Sequence, residues 1–295
     1  MNKLSSADRA RVLHLLCEGM SIRAVVRTTD ISKNTIAKLL VDAGKACAAY
    51  HDEHVRGVQA KRVQVDEIWA FTHCKQKNVA TAKASPDDAG DVWTWTAIDA
   101  DTKLVLAYLV GGRDAEYANA FMLDVADRLK GRVQLTSDGH KPYLEAVEGA
   151  FGADIDFAVL QKTYGTAPEA KQGRYSPPIC TGAIKRQIEG QPDPEHVSTS
   201  YVERQNLTMR MHMRRFTRLT NAFSKKVENH AYAVALHFMY YNFVRVHAKL
   251  RVSPAMAAGI TDRLWEISDI VALVEARDAG PAKRGSYKKS VRHPV

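Results

Sequence analysis

Cysteine is scarce and unpaired in this sequence. Cys17, Cys47, Cys74 and Cys180 are scattered, and no C-x-x-C pair occurs. That spacing suggests neither a zinc ribbon nor a disulfide framework and suits a reducing, cytoplasmic setting. Long apolar runs are missing too, and the longest fall far short of a membrane span. The first residues, MNKLSSADRARVLHLL, are helical and charged. They lack the apolar stretch and small-residue cleavage site of an export signal, so none is expected. No internal repeat is visible. Acids are nearly missing from one stretch: between Arg204 and Arg251, ten Lys/Arg stand against Glu228 alone.

What is present is the profile of a soluble globular protein. The chain has 295 residues, 45% hydrophobic and 25% charged, long enough for a full core and two units. Its formal net charge is +9, and residues 1–50 carry eight Lys/Arg against four acids. A basic band favours a polyanionic partner, usually nucleic acid; the plain alternative is a solvated surface.

Residues 4–46 pattern as three short helices. SSADRARVLHLLCEGM opens with a capping serine and breaks near Gly19. A second helix starts at Ser21, and a third is capped by Ser32 and expected to end at Gly44. Two brief helices joined tightly after a longer one form the helix-turn-helix pattern, whose later helix enters the major groove. Its leading residues here are Ser32, Lys33, Asn34 and Thr35, with Lys38 one turn on. All are able to bond bases or phosphates. A three-helix packing or dimerisation unit fits the same pattern.

Composition changes after a connector over 47–61. RVQVDEIWAF, DVWTWTAIDA and TKLVLAYLVG are expected as three meander strands, with DADTK a tight turn. DAEYANAFMLDVADRLKG is an amphipathic helix, RVQLTSD a strand, KPYLEAVEGAFG a helix and DIDFAVLQ a fifth strand. That order predicts an α/β unit with a mixed sheet, the order of the ribonuclease H-like fold. Residues 161–199 are rich in proline and glycine and are expected as a long loop, functional or mobile. Helices follow over about 200–218 and 224–245, then a last helix in RLWEISDIVALVEA and a basic tail.

Three acids attract attention. Asp66 lies inside a strand among Val63, Val65, Ile68 and Trp69, where a charge is costly unless paired or metal-bound. It is equally an outward-facing or salt-bridged residue. Its neighbour Glu67 points to the other sheet face, so only one of the two can serve. Asp138 closes a strand in TSDGHKPY, as a turn residue or as a ligand. Glu203 fits a capping box with Ser200. It also starts a stripe with Asn206, Arg210 and Arg214, opposite an apolar stripe of Val202, Met209, Met213 and Phe216. Arginine forks suit phosphate. His140, a lone histidine beside a turn, is more often structural.

VDEIW, TSDGHKPY, RYSPP, STSYVERQNLTMRMHMRRFTRLTNAFSKK and YYNFVRVHAKLRVSPAMAAGI resemble bacterial insertion-sequence transposases of the insertion-sequence-one type, a group of DDE transposases. The likeness covers roughly residues 60–260. It implies Asp66, Asp138 and Glu203 as a metal-binding triad and Arg210 as the basic residue that follows the acid. The family carries cysteine pairs for zinc near the N-terminus; this chain has none, which leaves end recognition to the helix-turn-helix.

The resulting expectation is a helix-turn-helix domain over 1–46, a linker over 47–61, and a ribonuclease H-like catalytic domain over 62–260 with an insertion loop at 161–199. A C-terminal helix and basic tail over 261–295 complete it. The expected activity is strand cleavage and strand transfer on double-stranded DNA at the element's ends and at a target, with Mg²⁺, or Mn²⁺ in its place, held by the three acids. Lys33, Asn34, Thr35, Lys38, Asn206, Arg210, Arg214, Arg215 and Arg218 are the candidate DNA contacts. Two ends have to be joined, so an oligomer, at least a dimer, is expected, in the bacterial cytoplasm with the nucleoid and not at a membrane. The rivals are a DNA-binding regulator without chemistry, and a nuclease or integrase with the same site.

Overall fold

The computed structural model describes residues 4–165, 179–217 and 221–278. Arg218, the RYSPP segment and the tail beyond Asp278 lie outside the described residues. None of the described helices is long and apolar enough to cross a membrane.

The chain begins with α1 (Ser6–Cys17), α2 (Ile22–Thr29) and α3 (Lys33–His54). Each opens on a serine whose hydroxyl accepts a backbone N–H: Ser5 from Asp8, Ser21 from Ala24 and Ser32 from Thr35. These caps satisfy amides that the helix itself leaves unpaired. Asp30 ends α2 in the left-handed conformation at φ 56°.

Gly44 does not end α3, contrary to expectation. The helix runs ten residues further, through half of the segment expected as a linker. Gly44 is instead the crossing point with α7 (Val227–Met239). A Cβ at Gly44 would lie 2.3 Å from Tyr232 Cβ and 2.4 Å from its carbonyl oxygen. Gly44→Ala is therefore expected to destabilise the protein by about 1–3 kcal/mol through overpacking, although alanine is the better helix former. Urea unfolding of the variant measures it.

The sheet follows in β1 (Arg62–Thr72), β2 (Gly90–Asp99), β3 (Val105–Gly111), β4 (Gln134–Ser137), β5 (Asp156–Gly165) and β6 (Ile179–Glu189). The strand order is β3-β2-β1-β4-β5-β6. β1, β4 and β5 run parallel, and β2 and β6 antiparallel to their neighbours. It is thus a mixed six-stranded sheet in an α/β chain. α4 (Ala115–Arg128) and α5 (Pro142–Phe151) join β3 to β4 and β4 to β5.

β6 corrects the long-loop expectation for 161–199. β5 continues to Gly165 and pairs with β6 from Phe157↔Glu189 to Gly165↔Ile179. The pairing supplies partners for backbone groups that a bare loop would leave to water. β6 is a polar edge strand, so it lacks the apolar alternation that marks a buried one.

Cross-strand register assigns the faces. Trp95 is fully buried, with Phe121 of α4 and Tyr143 of α5 at ring distances of 5.8 and 5.5 Å. Tyr108 lies across from Thr96 on the opposite face, against Phe238 of α7 and His51 of α3. Asp66 pairs with Thr96 and Glu67 with Trp95, so the two acids take opposite faces.

α6 (Ser200–His212) packs on β1 and β2. It stops at His212, short of the expected 218, because Met213 turns to extended backbone at φ −123°, ψ 108°. Met213 and Phe216 are buried beyond that turn. α7 passes into a π turn at Tyr240–Val244, whose Asn242 amide both accepts from Val105 N and donates to Val105 O. α8 (Pro254–Ala257) and α9 (Ile267–Asp278) close the chain, and α9 packs on α1 and α3. One hydrophobic core runs from Val12 to Val274 through both the helices and the sheet.

Candidate active site

Asp66, Asp138 and Glu203 line one cleft of about 730 Å³. They arrive from the middle of β1, the residue after β4, and the first turn of α6. Gly139, His140, Lys141, Gln161 and Lys162 contribute to the same walls, with Arg113.

α6 is held against β1 by two contacts. The Gln64 Oε1 accepts from the backbone N–H groups of Tyr201 and Val202 at 2.8 and 3.2 Å. A strand side chain thus caps the helix, in place of a capping residue of the helix itself. The Asn206 amide donates to Asp66 Oδ2 at 2.8 Å. Glu203 does not close a capping box with Ser200. Thr199 is the cap position, and its hydroxyl donates to Glu203 Oε1 at 2.7 Å.

Each acid has a distinct environment. Asp66 is half-buried and its Oδ1 accepts from Glu67 N at 2.8 Å. Burial, followed by the like charges of Glu67, Asp138 and Glu203, pushes its carboxyl up to about 7. Asp138 Oδ1 accepts from His140 N at 2.9 Å, so Asp138 both builds the turn and lines the cleft. Glu203 Oε1 also accepts from the Lys162 ammonium at 2.5 Å.

Glu67 lies beneath the cleft, its side chain only 1% exposed, and pairs with Arg113 at 2.6 Å while accepting from the Tyr143 hydroxyl at 3.0 Å. Burial and the Asp138 charge raise its carboxyl, and Arg113 opposes that rise. Arg113 also lowers the His140 imidazole, second to burial, while Asp138 works the other way. His140 therefore stays neutral at neutral pH, its ring near Trp95 and Tyr143.

An all-carboxylate donor set suits hard divalent ions such as Mg²⁺ or Mn²⁺. Three like charges press on the half-buried Asp66 carboxyl, so the residues fit a cation that would relieve them. The acids are not gathered around one point, however. Among the described residues no three His, Cys, Asp or Glu stand close enough to hold a metal ion. Glu203 is turned to Lys162 instead.

The candidate DNA contacts fall in different places. Lys33, Asn34, Thr35 and Lys38 are exposed on the first turns of α3. The Thr35 hydroxyl is bonded to Ser32 and Lys38 pairs with Asp42 at 2.6 Å. Arg210 is exposed on α6. Asn206 is buried beside Asp66 and not presented on a surface. Arg214 and Arg215 lie beyond the end of α6 and line a separate cavity against α1–α3, because the helix stripe that would have aligned them with Glu203 is broken at Met213. Arg113, Lys162 and Gln64 were not foreseen. The first two sit in segments without periodicity, and a cap supplied by a strand 137 residues away leaves no local mark.

No protein-family model and no curated protein matches the chain. Solved structures overlap it loosely, and three of them serve as examples. They are a piggyBac transposase synaptic complex with hairpin DNA (TM-score 0.36, 8% identity, 94% of this chain and 73% of that one), the Mos1 mariner paired end complex with Mn (0.28, 9%, 81% and 76%) and the Mos1 strand transfer complex (0.24, 12%, 81% and 76%). At such scores the overlap carries no argument, and the functional reading rests on the cleft.

Proposed function

We propose that the chain is a metal-dependent DNA-processing enzyme of the transposase kind, cutting a DNA strand and joining the freed 3′ end to a target. The observation that carries this reading is that Asp66, Asp138 and Glu203, from three separate elements, line one cleft. The strand order, with the meander β3-β2-β1 beside parallel β4 and β5, supports a ribonuclease H-like catalytic unit. The capped helices α1–α3, with polar residues leading α3, support a helix-turn-helix domain ahead of it.

In this reading Asp66 and Asp138 would hold divalent cations, and Glu203, now paired with Lys162, would be the third ligand. Bound there, such ions supply charge stabilisation for the attacking and leaving oxygens of phosphodiester exchange. The protein's own part is positioning. Gln64 and Asn206 lock α6 to β1, so that Glu203 and Asp66 share a wall. Arg113 pairs with Glu67 beneath the cleft and offsets part of the charge that Glu67 adds to the ligands. Lys141 and Lys162 line the cleft as cations for a DNA backbone. Exposed basic residues of α3 and Arg210 would position the duplex, and an oligomer of at least two chains would bring two ends together.

The rival is a DNA-binding regulator without chemistry, favoured by the Lys162–Glu203 pair, which is a complete ion pair as it stands. Cleavage of DNA carrying the gene's own flanking sequences separates the two. The wild type is expected to cut with Mg²⁺ and not with chelator. Asp138→Asn and Glu203→Gln are expected to slow cutting by more than about 100-fold, beyond the cost of losing a supporting group, with DNA binding retained. Equal cutting by both variants would place the chemistry elsewhere. Strand joining into a supercoiled target distinguishes a transposase or integrase from a nuclease.

A further inference from the structure

A second cavity, of about 660 Å³, lies away from the acid cleft, between the N-terminal helices and the segment that follows α6. Its walls carry Arg23, Lys33, Arg214, Arg215 and Lys225 and no aspartate or glutamate among the described residues. Its floor is apolar, formed by Leu16, Met20, Leu40, Phe223 and Leu236. The volume is that of a small-molecule site, and an apolar floor with a few convergent polar groups is how such sites are built.

A half-buried arginine and a buried histidine face a missing partner. Arg215 donates to Ser224 Oγ at 2.6 Å and makes no ion pair among the described residues. Burial lowers its guanidinium to about 10, as expected for a cation without a counter-ion. His237 is 4% exposed and lines the same cavity, and neither of its ring nitrogens has a hydrogen-bond partner. A half-buried cation without a counter-ion and a buried donor without an acceptor each cost stability, a cost that a bound anion would offset.

We infer that this cavity is a binding site for a phosphate monoester, its phosphoryl group on Arg215 and the basic rim and its apolar body over the Leu16–Leu40–Leu236 floor. A phosphate monoester carries close to two negative charges and three strong acceptors at neutral pH. That matches a rim of five cations, and the guanidinium fork pairs with two phosphoryl oxygens at once. The neutral His237, lowered by burial, has an N–H to donate without a second charge. The monoester has two sources, a free nucleotide or the 5′-phosphorylated end of a DNA strand. The site stands on its own geometry and does not depend on the metal reading of the acid cleft.

Calorimetric titration of the full chain tests it with four probes: adenosine 5′-monophosphate, adenosine, and a single-stranded oligonucleotide with and without a 5′-phosphate. Saturable binding of the monophosphate but not of adenosine assigns a free-nucleotide site. Binding that requires the 5′-phosphate on the oligonucleotide, with the monophosphate silent, assigns a strand-end site. In either case Arg215→Gln is expected to weaken binding by about tenfold or more, the cost of a lost charge-assisted pair. Lys225→Ala, at the exposed rim where folding is not at stake, is expected to weaken it a few-fold. No phosphate-dependent binding by any probe overturns the inference, as does equal affinity in the wild type and both variants.

Discussion

Asp66→Asn is expected to raise the melting temperature of the metal-free protein at pH 8 while abolishing Mg²⁺-dependent cleavage. The Asp66 carboxyl is raised from 3.8 to about 7, so the folded state binds its proton more tightly than the unfolded state does. The stability contributed by that proton is fully present below the unfolded value near 4 and is lost as pH rises through about 7. At about 1.4 kcal/mol per unit the upper limit is about 4 kcal/mol, and neutral asparagine recovers part of it. Part is lost again, because Asp66 accepts both from Asn206 and from Glu67 N, and an asparagine has one acceptor oxygen for the two donors. A net gain of roughly 1–3 kcal/mol, a few degrees, is expected from a chain of this size. The gain should vanish below pH 4, where wild-type Asp66 is also protonated. Mg²⁺ should stabilise the wild type and leave the variant unmoved. A variant less stable than wild type at pH 8 would show that the Asp66 charge is already compensated within the protein.

Acid should unfold the protein steeply between pH 6.5 and about 3. His51, His230 and His237 are each buried, and burial lowers each imidazole to about 3. The unfolded chain takes up their protons from pH 6.5 downward, whereas the folded chain does not until about 3. Their stabilising contribution is therefore present above 6.5 and lost as pH falls. Three protons correspond to a slope of about 4 kcal/mol per pH unit. Asp66 and Glu67, both raised, protonate first in the folded state and offset part of it. The paired acids Asp52, Asp156 and Asp269, all lowered, add to the loss below pH 4. His230→Phe isolates one term. Neither ring nitrogen of His230 has a partner, and Phe216 lies at a ring distance of 5.0 Å. The variant's slope in urea melts between pH 6 and 4 should be shallower by about 1.4 kcal/mol per unit. An unchanged slope would mean that His230 is protonated in the folded protein.

The sheet was legible because its strands carry their burial in their residue types. Val63, Val65 and Ile68, and then Trp95 and Ala97, mark strands buried on both faces, and the helices between them show apolar stripes. The serine caps at Ser21 and Ser32 were legible for the same local reason. What the sequence concealed depends on partners far along the chain. Gly44 looks like a helix end until Tyr232 is placed against it. β6 is polar on an edge, so nothing in its residues announces a strand. The positions of Asp66 and Asp138 followed from strand order alone, but the turning of Glu203 toward Lys162 required the pairing of β5 beside α6. The stripe from Glu203 to Arg214 assumed a helix that the buried Met213 and Phe216 bring to an end.

Anomalous scattering from Mn²⁺-soaked crystals tests the central claim most directly. The account predicts Mn²⁺ density in the cleft at the Asp66 and Asp138 carboxylates, with Glu203 released from Lys162. An acid cleft free of Mn²⁺, with Lys162 still bound to Glu203, would contradict it.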